Sequence, residues 1–147
     1  MLCGLLIVNK PPGCTSRDVV NPIQRIVRPA RVGHAGTLDP LARGVLVVAL
    51  GPATRLIEHV QEMAKEYRGT FLLGRGSSTE DIEGELWELD NPPQPTREAI
   101  EELLPQFVGQ IRQRPPAYSA LRIKGRRAHN LARKGVAVEL APREITV

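Results

Sequence analysis

Aromatic side chains are nearly missing from these 147 residues, which hold one Trp, two Tyr and two Phe. That scarcity excludes a multi-base stacking platform, so any nucleic-acid contact has to lean on phosphates and shape. Cysteine is equally scarce. Cys3 and Cys14 cannot build a disulfide framework, and two thiols fall short of the four ligands of a structural zinc site, so no metal is expected. No apolar run approaches the ~20 residues that span a bilayer. The opening Met1-Leu2-Cys3-Gly4-Leu5 has neither the charged start nor the apolar core of a signal peptide. These absences predict a cytoplasmic protein without membrane contact.

What is present is enough apolar residue for a core, at 41% of the chain, and the length suits one folded domain. The net charge of +4 hides a strong segregation. Lys10 to Arg55 holds seven basic and two acidic residues, Glu58 to Glu102 four basic and twelve acidic, and Arg112 to Lys134 eight basic and no acidic. Arg dominates the basic stretches, and its planar fork binds phosphate through paired hydrogen bonds. Such stretches suit a polyanion, although a solvated surface would carry the same charges.

Gly4 to Val8 is a continuous apolar run closed by Asn9-Lys10-Pro11-Pro12-Gly13, which predicts a buried strand and a rigid turn. Thr15 or Ser16 can cap a helix bearing Val19, Val20, Ile23, Ile26 and Val27, with Pro22 as an expected interruption. Ala42 to Leu50 reads as a second buried strand, Arg55 to Met63 as a helix, Lys65 to Leu73 as a strand, Gly74 to Gly84 as a polar stretch and Glu85 to Leu89 as a short strand. Thr96 caps a helix through Ile100, Leu103, Leu104, Phe107 and Val108 that Pro105 bends or ends. Arg126 to Lys134 reads as a short basic helix closed by Gly135, with strands on either side of Pro142. Without a regular βαβ rhythm, the expected class is α+β: a mixed, largely antiparallel sheet with flanking helices.

The densest cluster of unusual residues is Gly33-His34-Ala35-Gly36-Thr37-Leu38-Asp39-Pro40-Leu41-Ala42-Arg43-Gly44-Val45-Leu46. Its glycines permit positive φ and close approach of a ligand, and Pro40 restricts Asp39 to an extended backbone. One carboxylate would then stand at the mouth of a buried strand. Asp before Pro in a Gly-rich loop is also ordinary turn or cap chemistry, and a lone His is commonly a satisfied loop residue.

This stretch resembles the G-H-x-G-T-L-D-P-x-A-x-G-V-L motif of TruB-type tRNA pseudouridine synthases. Further blocks follow in the family's order: Asn9-Lys10-Pro11-Pro12-Gly13-Cys14-Thr15-Ser16, Gly51-Pro52-Ala53-Thr54-Arg55, Lys65-Glu66-Tyr67, Pro115-Pro116-Ala117-Tyr118-Ser119-Ala120-Leu121-Arg122 and Leu131-Ala132-Arg133-Lys134-Gly135. The resemblance spans nearly the whole chain. It departs at Asn9, where the family has Asp, at Ser77-Ser78-Thr79, and at His129, where Tyr is common.

The resemblance implies a pseudouridine synthase-like core and an isomerase acting on tRNA, with uridine-55 of the T-loop as target. It makes Asp39 the nucleophile, Tyr67 the ring that stacks on the flipped uracil, and His34 the residue that rearranges the RNA loop. Lys10 and Pro11, with Gly36, Thr37 and Leu38, would support the catalytic loop from behind. Arg122, Lys124, Arg126, Arg127, Arg133 and Lys134 would contact the RNA backbone. No cofactor is implied, because the isomerisation needs neither a redox partner nor a group donor. The family's Tyr-Ile-Arg segment, whose Arg pairs with the catalytic Asp, does not occur in these residues. The expectation is therefore that 1–147 is the N-terminal part of a catalytic domain without the PUA domain of many members. The alternative reading is a noncatalytic module that binds or folds tRNA.

Overall fold

The computed structural model describes residues 2–79, 81–115, 122–123, 126–127 and 140–147, with the side chains of 122, 123, 126 and 127 excepted. They fall into two compact units, Met1–Arg68 and Gly69–Val147, where the sequence reading has one domain. Every described strand pairing is antiparallel. The class is α+β, and among the described residues the strands form four small sheets.

The first unit is built on β1 (Gly4–Lys10), β2 (Val32–Ala35) and β3 (Gly44–Leu50), in the order β1-β3-β2. β1 and β3 pair along their whole length, from Gly4 opposite Leu50 to Lys10 opposite Gly44. With a side-chain period of two, this register puts Val8, Leu46, Val48 and Leu50 on one face. That face carries the core: Val20 of α1 (Ser16–Ile26) is buried with Leu46, Val48 and Leu50, and Val8, Val19, Ile23, Val27, Val32 and Leu38 pack around them. Fully burying side chains of this size is worth about 1.5–3 kcal/mol each.

Helix α1 starts where the hydroxyl chemistry places it. Thr15 is the N-cap, its Oγ1 accepting from the Asp18 amide while Asp18 Oδ2 accepts from Thr15 N and Oγ1. Those bonds, the hydroxyl's first, hold the Asp18 carboxyl below its usual range. Pro22 does not interrupt the helix, which runs on to Ile26. The carbonyl it deprives of a partner belongs to exposed Asp18, where water can serve. Gln24 ties the end of α1 to β2, donating to the Ala30 carbonyl at 2.8 Å and accepting from Val32 N at 3.1 Å.

After β3 the expected helix is preceded by a 3-10 turn over Gly51–Leu56, with Pro52 in its first turn, and α2 proper is Ile57–Glu62. Ile57 of α2 reaches over β2: a Cβ on Gly33 would lie 2.6 Å from Ile57 Cδ1. The strand expected at Lys65–Leu73 does not form; these residues join no ladder among the described residues. Extended backbone becomes a strand only with a partner edge, and propensity alone supplies none.

In the second unit, β4 (Arg75–Ser77) lies inside the stretch read as polar loop and pairs with β5 (Leu86–Glu88), Arg75 meeting Glu88 at 2.8 Å. Thr96 caps α3 (Arg97–Leu103), and Pro105 falls in the 3-10 turn Leu104–Phe107 that ends it. β6 (Gln110–Gln113) pairs with a strand near the end of the chain. β7 (Arg122–Ile123) pairs with β8 (Arg126–Arg127), so the basic helix expected from Arg126 begins as a strand, while 128–134 lie outside the described residues. The strand expected after Pro142 is β9 (Arg143–Thr146), the partner of β6; the one before Pro142 lies largely outside the described residues. No described helix is long and apolar enough to cross a membrane.

Gly51 is the tightest backbone position of the first unit, with φ at +56° and the Leu2 carbonyl oxygen 2.1 Å from where a Cβ would stand. Gly51→Ala should therefore lower stability by about 2–4 kcal/mol, from left-handed backbone strain plus a clash that no side chain can relieve. Gly4→Ala, which meets nothing within 4 Å, should stay within about 0.5 kcal/mol. Urea unfolding of both variants measures the difference.

Candidate active-site loop

The loop joining β2 to β3 carries the acidic residue, and a different segment holds it in place. Lys10, the last residue of β1, is fully buried. Its Nζ donates to the carbonyls of Cys14 at 2.7 Å, Pro11 at 3.0 Å and Pro40 at 3.3 Å. An ammonium has three donors, and three carbonyl dipoles receive them. The Pro40 carbonyl accepts a second bond, from Gly13 N at 2.8 Å.

On the other side of Asp39, Leu38 N donates to Ser16 Oγ at 3.0 Å, and Ser16 Oγ lies 3.3 Å from the Leu38 carbonyl, to which it donates. The turn at Lys10–Ser16 thus grips the residues immediately before and after Asp39. Asp39 closes its own turn, its carbonyl accepting from Ala42 N at 3.0 Å with Pro40 in the second turn position. Gly36 and Gly44 take positive φ, +107° and +129°, where the loop leaves β2 and enters β3. Gly33 does not, and makes room for Ile57 instead. The motif's glycines therefore do two jobs where the sequence reading saw one.

Asp39 itself is exposed, and among the described residues its carboxylate has no hydrogen bond or ion pair. His34 stands in β2 opposite Val48, half-buried, with Nδ1 against the Gly36 carbonyl. A carbonyl can only accept, so in that contact Nδ1 is the donor. Pro11 and Thr37 are exposed, Gly36 is half-buried, and half-buried Leu38 packs against the core. Tyr67 lies in the segment without strand pairing, 75% exposed, and no described hydrogen bond joins it to the loop. The backbones of Arg122, Arg126 and Arg127 belong to the β7–β8 hairpin; Lys124, Arg133 and Lys134 lie outside the described residues. Sequence reading missed Ser16 and Gly13 as parts of the site. The available signal was two adjacent hydroxyls, Thr15 and Ser16, where one suffices for a cap.

Replacing Lys10 by Met keeps the stem and deletes three charge-assisted hydrogen bonds, so a loss of about 2 kcal/mol is expected after the relieved desolvation of the ammonium is set against them. Lys10→Arg should also destabilise, by about 1–3 kcal/mol, because a planar fork does not fit the space of a tetrahedral head. Urea unfolding of the two variants checks both; a Met variant as stable as the parent would show that desolvation cancels the bonds.

The profile of the TruB family pseudouridylate synthase N-terminal domain matches residues 24–147. A tRNA pseudouridine synthase B of Heliobacterium mobile is 49% identical over 144 residues, which are 98% of this chain and 47% of that protein. Its counterpart in Acaryochloris marina is 45% identical over 146 residues, 99% of this chain and 50% of the relative. The chain thus spans about half the length of these curated relatives. A chain in the crystal structure of a Cbf5-Nop10-Gar1 complex superposes with a TM-score of 0.53 at 30% identity, over 81% of this chain and 31% of that one. By these matches the chain belongs to the TruB family of pseudouridylate synthases, corresponding to their N-terminal domain.

Proposed function

We propose that these residues form part of a cytoplasmic tRNA pseudouridine synthase in which Asp39 is the nucleophile and uridine-55 of the T-loop is the target. The observation that carries the reading is the grip on Leu38 and Pro40, which fixes the backbone on both sides of Asp39 and leaves its carboxylate exposed to a ligand. The names of the relatives supply the substrate class.

The chemistry needs one nucleophile and no external electrons. The N1–C1′ glycosidic bond of uridine breaks, a C5–C1′ bond forms, the C5 proton leaves and N1 is protonated, so product and substrate are isomers. A carboxylate ionised in water can attack and leave again. The target base must first leave its stack, at a few kcal/mol, and Tyr67 is the aromatic surface proposed to receive it. His34 enters the space the RNA loop vacates. Lys10 and Pro11, with Gly36, Thr37 and Leu38, keep the loop in register. Arg122, Lys124, Arg126, Arg127, Arg133 and Lys134 meet phosphates, since Arg112 to Lys134 carries eight basic residues and no acid.

The test is release of tritium to solvent from an unmodified tRNA transcript labelled at C5 of uridine, with protein in excess over RNA. Asp39→Asn should lower the rate by at least about a thousand-fold, with tRNA affinity within about threefold of the parent. Retained turnover in that variant would remove Asp39 from the role; binding without release by the parent chain would favour the noncatalytic tRNA-binding module. Affinity for tRNA should also fall steadily with added salt, and Arg126→Ala with Arg127→Ala should flatten that slope by about one to two. Binding indifferent to salt would contradict phosphate contacts.

A further inference from the structure

We propose that Ser16 is the positioning residue of Asp39, setting the register of the loop through the backbone of Leu38. The inference rests on Asp39 being the nucleophile, and gives Ser16, read from the sequence only as a possible helix cap, a role at the loop.

Ser16 occupies the first helical position of α1, where a hydroxyl commonly serves the helix. Here it does not. Thr15 is the N-cap and completes a capping box with Asp18. The Ser16 hydroxyl, on a residue only 2% exposed, is turned to the residue before Asp39, accepting from its N–H at 3.0 Å and donating to its carbonyl at 3.3 Å. Residues 37–39 belong to no ladder, and Ser16 is the one described partner of either polar backbone group of Leu38. The Leu38 side chain meanwhile packs against Val20, Leu46, Val48 and Leu50.

Residue 38 is thereby fixed at its amide, its carbonyl and its side chain. The following residue inherits that fixed starting point, and Pro40, itself held by Lys10 and Gly13, confines Asp39 to extended backbone. What remains free to Asp39 is its side-chain torsion. A nucleophile held in this way meets the reacting nucleotide in a reproducible geometry, and a misplacement of about 1 Å can cost a hundred-fold in rate. Loss of the Ser16 hydroxyl leaves two backbone groups without a protein partner and frees that placement.

The experiment compares Ser16→Ala, Ser16→Cys and Gln24→Ala with the parent. Gln24 also makes two hydrogen bonds to backbone in the same unit, between α1 and β2 and away from Asp39, so it reports what lost stability alone does. In the tritium-release assay, Ser16→Ala should lower the single-turnover rate at saturating tRNA about a hundred-fold with tRNA affinity unchanged. Ser16→Cys, similar in size but a weak hydrogen-bonding group, should resemble it. Gln24→Ala should lose comparable stability and keep the rate.

A second readout needs no turnover. Hydrogen exchange at the Leu38 amide should rise about tenfold or more in both Ser16 variants while the β1–β3 ladder amides keep their protection. A folded Ser16→Cys with parental rate and parental Leu38 exchange overturns the proposal even if Ser16→Ala does not fold. So does a Gln24→Ala variant that loses as much rate as the Ser16 variants. If Asp39→Asn retains turnover, the nucleophile reading fails, and the exchange result alone still decides whether Ser16 sets the loop.

Discussion

The first unit turns on a buried ammonium. Lys10 comes at the end of β1 and is itself fully buried, and its charge is met by three peptide carbonyls rather than by a carboxylate. An unpaired buried cation would be prohibitively unfavourable, so the backbone has to arrange itself around the Nζ. That demand bends Pro11 to Cys14 into a turn and draws Pro40 to the same point from thirty residues away. A carboxylate partner in the same place would have satisfied the charge and left the backbone loose. Carbonyls satisfy it and fix the chain on the far side of Asp39.

From this contact the remaining order follows in steps. With Pro40 held, the Asp39–Ala42 turn leads into β3 at Gly44, opposite Lys10 itself. β3 then pairs with β1 over seven residues and supplies Leu46, Val48 and Leu50 to the core that α1 covers. α1 begins at Ser16, and its first residue returns to Leu38. The motif around Lys10 and the motif around Asp39 are distant in sequence yet act as one structural object.

Much of this was legible in the sequence where the cause is local. β1, β3, the Thr15 cap and the Thr96 cap follow from apolar runs and hydroxyl placement, and the structure keeps them with some ends shifted by a few residues. β1 is not the buried strand expected, however: Leu5 and Ile7 point to the face opposite the core and are exposed. What depends on partners was not legible. Lys65 to Leu73 has strand composition but no edge to join, and Arg126-Arg127 pair with Arg122-Ile123 instead of opening a helix. Gly33 was grouped with the glycines that permit positive φ and close approach of a ligand, whereas its reason is Ile57, twenty-four residues on. Resemblance singled out Asp39; the grip of Lys10, Gly13 and Ser16 on its neighbours was not legible, because a hydrogen bond between residues 16 and 38 leaves no periodic signature.

The division between held backbone and free side chain bears on how such a loop can act on RNA. A folded RNA presents its target base inside a stack, and extrusion moves the sugar by distances that a rigid carboxylate could not follow if it were locked by its own hydrogen bonds. An unlocked carboxylate on an unlocked loop would have the opposite defect, since every encounter would start from a different geometry. Here the fixed part ends at the backbone of Asp39, and the exposed carboxylate keeps its torsional freedom. Water must still be removed from it for its charge to act strongly on a reacting carbon. If Asp39 acts as proposed, ordering the loop backbone in advance is what this unit contributes, and the exclusion of water has to come from whatever docks on the loop.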